Sequence, residues 1–357
     1  MTNLYLKSIE VIENNQHPSG AYVASPSFDT YKYSWLRDGS FIAYSMDIAE
    51  RYNSADKFHD WVDRVISVKT DKVNELLYKM KNKIELGNQD YLPTRYTLEG
   101  IAAEDDWPNF QLDGYGTWLW ALTEHIVHTG KYELLARYRQ SIDLTVRYLS
   151  GFWMLPNYDC WEEFGDKVHT ATLSCIYGGL VSINKLLKNQ DIESTAHKIK
   201  EYIYSSCTKN DRLVKFIGTD IVDSSLLWAA VPFEVFEVDS VIIKETVREI
   251  EAKLCHNGGV HRYEHDTYYG GGEWLLLSCW LGWYYAETGD MAKAKDQLMW
   301  VKKNTADDGE MPEQVSYHVN DESYIQQWID RWGQSAKPLL WSHAMYIVLA
   351  DKLKRTV

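Results

Sequence analysis

The stretch "ELLARYRQSIDLTVRYLS", Glu133 to Ser150, carries Leu134, Tyr138, Ile142, Val146 and Leu149 at steps of three and four. That step keeps one apolar face along a helix of 3.6 residues per turn, whereas a half-buried strand would alternate every second residue. A second helix follows "YYGGGEW" (Tyr268–Trp274), with Trp274, Leu277, Leu281 and Tyr285 on one stripe and Gly289 placed as a C-terminal stop. The same pattern recurs along the chain, with about twelve helices starting near residues 3, 38, 55, 113, 132, 169, 190, 222, 240, 272, 290 and 336 and almost no alternating segment. The class is therefore all-α. One helix per roughly thirty residues fits six helical hairpins closed into a double ring, an (α/α)6 barrel. An α-solenoid is the competing layout, but no repeat of fixed period is visible.

Composition narrows the function. A net charge of −14 disfavours nucleic acid and anionic membrane, which require a dense cationic face. No Gly/Ser/Pro-rich tract marks a boundary, so residues 1–357 read as one domain. The first residues lack a signal-peptide pattern and no apolar run approaches about 18 residues, which leads us to expect a cytoplasmic protein. Cys160, Cys175, Cys207, Cys255 and Cys279 are scattered, without a CxxC pair, and read as free, mostly buried thiols. The 15 Trp and 25 Tyr exceed what ordinary core packing calls for, and planar rings with polar edges suit sugar faces.

The unusual segments are "YSWLRDGS", "DDWPNFQLDGYG", "YDCWEEFGD", "IGTDIVDSS", "VHRYEHDTYYGGGEW" and "GEMPEQVSYH", and each precedes an even-numbered helix of the expected order. If the even helices form the inner ring, these loops converge at one mouth. Arg37 and Asp38 then face a shared polar cavity. Read alone, "WEE" (Trp161–Glu163) is also a common helix-start acid pair, and "PEQ" (Pro312–Gln314) is also a cap. "HRYEH" spaces His261 and His265 four apart, but Gly258 and Gly259 before it and the absence of HExxH argue against zinc. No P-loop, GxSxG or dinucleotide fingerprint is present, and nothing in the chain asks for a metal or cofactor. Two carboxylates facing a neutral-sugar pocket suit glycoside hydrolysis, where one protonates the leaving oxygen and the other acts on water or on the anomeric carbon.

At these residues the chain resembles glycoside hydrolase family 15, the glucoamylase-like inverting enzymes built on an (α/α)6 barrel, and the motifs come in the same order from about residue 3 to 355. The resemblance implies that Arg37 and Asp38 of "WLRDGS" hold the hydroxyls of the terminal glucose and that Arg262 of "HRYEHDTYYGGGEW" does the same. It implies Glu162, the first Glu of "WEE", as general acid, and Glu313 of "EQ", upstream of "LLWSHAMY", as general base. Asp113, Trp161 and Glu163 join the expected binding set, with Trp107, Trp161 and Tyr115 as stacking surfaces. The implied activity is exo-hydrolysis releasing β-D-glucose from short isomalto- or malto-type oligosaccharides. Trehalase-type hydrolysis, a non-catalytic sugar-binding barrel and a metal-dependent hydrolase are the alternatives. Family members often carry a β-sandwich or starch-binding domain that this chain is expected to lack, and "VSYHVNDESYIQQWIDRWGQSAKP" is expected to cap the pocket. An inverting enzyme needs its two carboxyl groups about 6.5–9.5 Å apart.

Overall fold

The computed structural model describes residues 4–103 and 107–354. Asp105 and Asp106, which open the "DDWPNFQLDGYG" segment, lie outside the described residues, as do residues 3 and 355 at the limits of the resemblance. In chain order the α-helices are α1 (Leu4–Asn14), α2 (Leu36–Ile48), α3 (Tyr52–Ser67), α4 (Thr70–Lys81), α5 (Asp113–Thr129), α6 (Leu134–Arg137) and α7 (Arg139–Phe152). They continue with α8 (Thr170–Leu187), α9 (Gln190–Ser206), α10 (Val241–Leu254), α11 (Leu275–Glu287), α12 (Met291–Lys303), α13 (Ser323–Trp332) and α14 (Leu340–Lys354). Helix α2 packs on α5, α5 on α8, α8 on a 3-10 helix at Ser224–Ala229, that helix on α11, α11 on α14, and α14 back on α2. The ring is closed. Outside it, α1, α3, α7, α9, α10 and α12 pack against inner elements, so the architecture is the (α/α)6 barrel.

The two rings differ in sequence as the geometry demands. In α11 every residue from Leu275 to Tyr285 is buried, because an inner helix has neighbours on all sides. In the outer α3 burial falls on a stripe that includes Ala55, Phe58, Val62 and Ile66, and the opposite face is charged. Inner helices also approach closely. A Cβ on Gly179 would sit 2.2 Å from the Gly116 carbonyl oxygen, so α5 and α8 touch backbone to backbone. The barrel axis is filled by rings: Phe41 lies 5.5 Å from Trp341 and 5.7 Å from Trp228, and Trp228 lies 4.9 Å from Trp280.

Three local expectations change. The Glu133–Ser150 helix divides at Tyr138, whose φ of −98° and ψ of 17° make a turn, and Val146 is only partly buried. The eighth element is a six-residue 3-10 helix, since Pro232 has no N–H to give the Trp228 carbonyl and the turn stops before it. Helices α4 and α13 add to the expected set; α4 buries only Val73 and Leu76, and α13 buries none of its residues. Gly289 does follow α11, with φ of 82°. Among the described residues no helix is long and apolar enough to cross a membrane, and all five cysteines are unpaired.

Candidate active site

The N-termini of the inner helices open on one end of the ring, and there the loops enclose a cavity of about 310 Å³. Two short antiparallel pairs brace it. Ser34–Trp35 pairs with Arg95–Tyr96 beside the start of α2, and Glu273–Trp274 pairs with Gln314–Val315, which fixes Glu313 next to the start of α11. Trp341, at the start of α14, forms part of the lining and stacks on the ring plug beneath, so the cavity is blind.

Glu162 sits on a tight loop. Asp159 Oδ1 accepts from the backbone N–H of Trp161 at 3.0 Å and of Glu163 at 2.9 Å, and Glu162 adopts a left-handed φ of 67°. Such a φ is unusual for a residue with a Cβ and is held here by the surrounding bonds. Behind the loop, Lys215 Nζ lies 2.8 Å from Asp159 Oδ2 and 2.5 Å from Asp223 Oδ2, and Asp223 also accepts from Trp161 Nε1 at 3.0 Å. Burial works against the Lys215 charge, but the two carboxylates hold its pKa above the ordinary lysine value. The Glu162 carboxyl accepts from Trp35 Nε1 at 2.6 Å and from Gln111 Nε2 at 3.2 Å. Burial raises its pKa, opposed by Arg37 and these two donors.

Glu313 faces the same cavity from a different setting. Its Oε1 accepts from the Tyr31 hydroxyl at 3.0 Å and its Oε2 from the Ser335 hydroxyl at 3.3 Å, while the Tyr31 and Tyr268 hydroxyls pair at 2.9 Å. Burial pushes Glu313 up to about 7, with Tyr31 and the Arg262 charge pulling the other way. Arg37 donates to Asp113 Oδ2 at 2.9 Å, and Asp38 is pushed up to about 6 by burial against the pull of Arg37. Arg262 donates through Nε to Asp266 at 2.7 Å and through Nη2 to Glu163 Oε1 at 3.2 Å, and the other Glu163 oxygen accepts from Tyr263 at 2.5 Å. Arg37 Nε and Asp38 Oδ2 face each other at 3.3 Å as a buried ion pair, and the indole N–H groups of Trp107, Trp274 and Trp341 are buried with no hydrogen-bond partner among the described residues. A wall of unpaired indole donors and a charged pair set among aromatic rings has the character of a sugar site.

The model of the glycosyl hydrolases family 15 matches residues 2–351. The chain belongs to glycosyl hydrolase family 15. This family 15 chain is 40% identical over 350 residues to an isomaltose glucohydrolase of Kribbella flavida, covering 96% of this chain and 90% of that protein. A solved wild-type glycosidase superposes with a TM-score of 0.95 at 40% identity, covering 98% of this chain and 96% of the other. A bacterial glucoamylase complexed with acarbose shares the fold, with a TM-score of 0.79 at 19% identity over 98% of this chain and 55% of that one. Trehalase 1 of Sulfolobus acidocaldarius is more distant, 24% identical over 282 residues, covering 76% of this chain and 49% of that protein.

In this family 15 barrel Arg37, Asp38, Trp107, Trp161, Glu162, Glu163, Arg262 and Glu313 all line this same cavity. Asp113 does not. It is fully buried behind Arg37, so it orients that guanidinium instead of meeting a ligand. Tyr115 is core, 1% exposed, with its hydroxyl donated to the Pro93 carbonyl at 2.6 Å. Asp223, from the "IGTDIVDSS" segment, acts from behind the wall. His261 and His265 are on no helix; His261 is buried against the Gly271 carbonyl and His265 is exposed. Sequence reading missed Tyr31, Gln111, Lys215, Tyr268 and Ser335, whose partners are remote in the chain. The capping segment does reach the cavity, through Trp328, Arg331 and Trp332 of α13.

Proposed function

We propose that the enzyme is an exo-acting, inverting α-glucoside hydrolase that takes short α-1,6-linked gluco-oligosaccharides, isomaltose first. The observation that carries this reading is a blind cavity with two buried glutamates on its wall, one braced by an ion network and one by hydroxyls, beside the Arg37–Asp38 ion pair and unpaired indole N–H groups. The 40% relative named for isomaltose supports the linkage.

In the proposed cycle Arg37, Asp38 and Arg262 hold the terminal glucose through charged hydrogen bonds worth about 1.5–3 kcal/mol each. Glu162 enters protonated and gives its proton to the glycosidic oxygen. Glu313 enters ionised and takes a proton from a water attacking the anomeric carbon from the opposite face. Trp107 and Trp161 supply apolar faces, and Glu163 keeps Arg262 in place. The reaction uses carboxylates alone. A single closed ring with the two glutamates on one cavity wall supports treating 1–357 as one catalytic domain, and five unpaired cysteines suit a reducing compartment such as the cytoplasm.

Proton NMR early in hydrolysis of isomaltose, maltose, trehalose and longer glucans tests this. The expected result is β-glucose as the first sugar, with turnover falling from isomaltose to polymer because α13 caps the mouth. Initial α-glucose would falsify the inverting assignment. Equal efficiency on soluble starch contradicts the short-substrate reading, and preference for trehalose contradicts the linkage.

A further inference from the structure

Far from the cavity, Asp47 near the end of α2, His59 in α3 and His125 in the second half of α5 converge in the wall of the barrel. Nine residues of helix separate Asp47 from Asp38, about 14 Å along the axis of α2. All three side chains are essentially inaccessible: Asp47 is 2% exposed, His59 and His125 0%. One ligand atom from each lies within 4.8 Å of the other two.

Two features set this cluster apart from an ordinary buried ion pair. Among the described residues neither ring nitrogen of His59 has a hydrogen-bond partner, although the ring is completely buried and its centroid is 4.9 Å from that of His125. A buried imidazole with both nitrogens idle is an exception that calls for a reason. The second feature is the support around His125. Its Nδ1 faces Asp47 at 2.8 Å, and its Nε2 lies 3.0 Å from Asp56 Oδ1, whose other oxygen is held by Lys131 at 2.5 Å. A histidine with one nitrogen toward a neighbouring carboxylate and the other anchored on a second carboxylate is the arrangement that orients metal-ligating imidazoles.

We propose that Asp47, His59 and His125 form a structural site for a divalent transition metal of the zinc type. Two imidazoles and a carboxylate suit zinc, with the fourth position left to a small ligand such as water. Ligand atoms around tetrahedral zinc stand about 3.3 Å apart. The site closes onto the ion by rotation of His59, which no hydrogen bond restrains. The ion replaces the proton between His125 Nδ1 and Asp47, and that proton leaves to solvent with no change of oxidation state. Bound there, the metal pins two inner helices to an outer one and leaves the sugar cavity untouched.

The test uses the full chain, stripped with a chelator and dialysed. Titration with zinc chloride by calorimetry should give one tight equivalent and raise Tm, and cobalt(II) should give the visible absorption of a tetrahedral site. His59→Leu should lose that equivalent while keeping its circular dichroism and its turnover of isomaltose. His318→Ala removes the exposed His256–His318 pair, whose rings lie 6.1 Å apart, and should leave the tight equivalent in place. Absence of tetrahedral cobalt absorption in the unsubstituted protein, or zinc bound as tightly by His59→Leu, overturns the site whatever the glycosidase assays show.

Discussion

The two sides of the cavity hold the same residue by different means. On one side Glu162 rides on a loop fastened by charge, with Lys215 locked between Asp159 and Asp223 and Asp159 gripping two backbone N–H groups. On the other, Glu313 is held by neutral hydroxyls, Tyr31 backed by Tyr268, and Ser335. The ion network sets one cation between two carboxylates and fixes the loop, while burial raises the Glu162 pKa against the pull of Arg37, Gln111 and Trp35. On the base side burial also dominates, opposed by the hydroxyls and the Arg262 charge, and Glu313 rests at about 7. Position is set by an ion network on one side and by hydroxyls on the other, while burial raises the proton affinity of both carboxyl groups.

Exchanging the glutamates themselves breaks the comparison most severely. Glu162→Gln is expected to lose about 10²- to 10⁴-fold on isomaltose but much less on α-glucosyl fluoride, whose leaving group needs little protonation, whereas Glu313→Gln should lose on both. A like response of the two variants to the better leaving group rules out the division of roles. Stability should separate them further. Glu313 is raised from 4.5 in the unfolded chain to about 7 in the fold, so ionising it in place costs about 3 kcal/mol above neutral pH and nothing below about pH 4. Glu313→Gln should therefore raise Tm near pH 8 and not near pH 4; a pH-independent shift means that its ionisation is not what strains the fold.

Lys215→Met removes the central cation of the acid side and leaves Asp159 and Asp223 buried without it. The expected cost is about 3–5 kcal/mol of stability and about 10²-fold in kcat, since a 1 Å displacement of the Glu162 loop is enough for that. The pH limb set by Glu313 should stay where it is, because Lys215 serves the other wall. Urea unfolding and a pH–rate profile measure both, and a moved limb shows that the two walls are coupled.

The smallest change sharpens the base side. In the free enzyme kcat/KM should fall tenfold per unit as pH drops below about 7, because Glu313 takes up a proton and can no longer accept one from water. Tyr268→Phe keeps the ring and removes a hydroxyl that helps lower the Glu313 pKa, so the limb should move to higher pH with only a few-fold loss at its plateau. A limb that stays in place or moves down shows that Tyr268 has no hold on the base.

Periodic apolar faces made the barrel legible, because each inner or outer helix writes its own burial into a local pattern. Helices α4 and α13 escaped because they bury almost nothing, and the 3-10 helix because its brevity is imposed by a single proline. Within the site, residues that bear distinctive local motifs, such as Arg37 and Glu162, could be named from the chain. Lys215, Tyr31 and Ser335 could not, since a lone Lys, Tyr or Ser becomes informative only when folding sets it against a particular carboxylate. Asp113 shows the converse: its place at a helix start beside the mouth resembled a ligand contact, and folding turned it behind Arg37. The Asp47–His59–His125 cluster is invisible for the same reason, its members lying on three separate helices.

The ring plug of Phe41, Trp228, Trp280 and Trp341 has a consequence for traffic. With the barrel axis stopped, the cavity has one door, and whatever enters first must leave last. The terminal glucose lies deepest, so after cleavage the remainder of the substrate departs before it, and glucose in excess occupies the free enzyme and competes with substrate. A longer chain cannot thread onward for a second cut. It must back out completely, so each glucose released corresponds to a separate encounter.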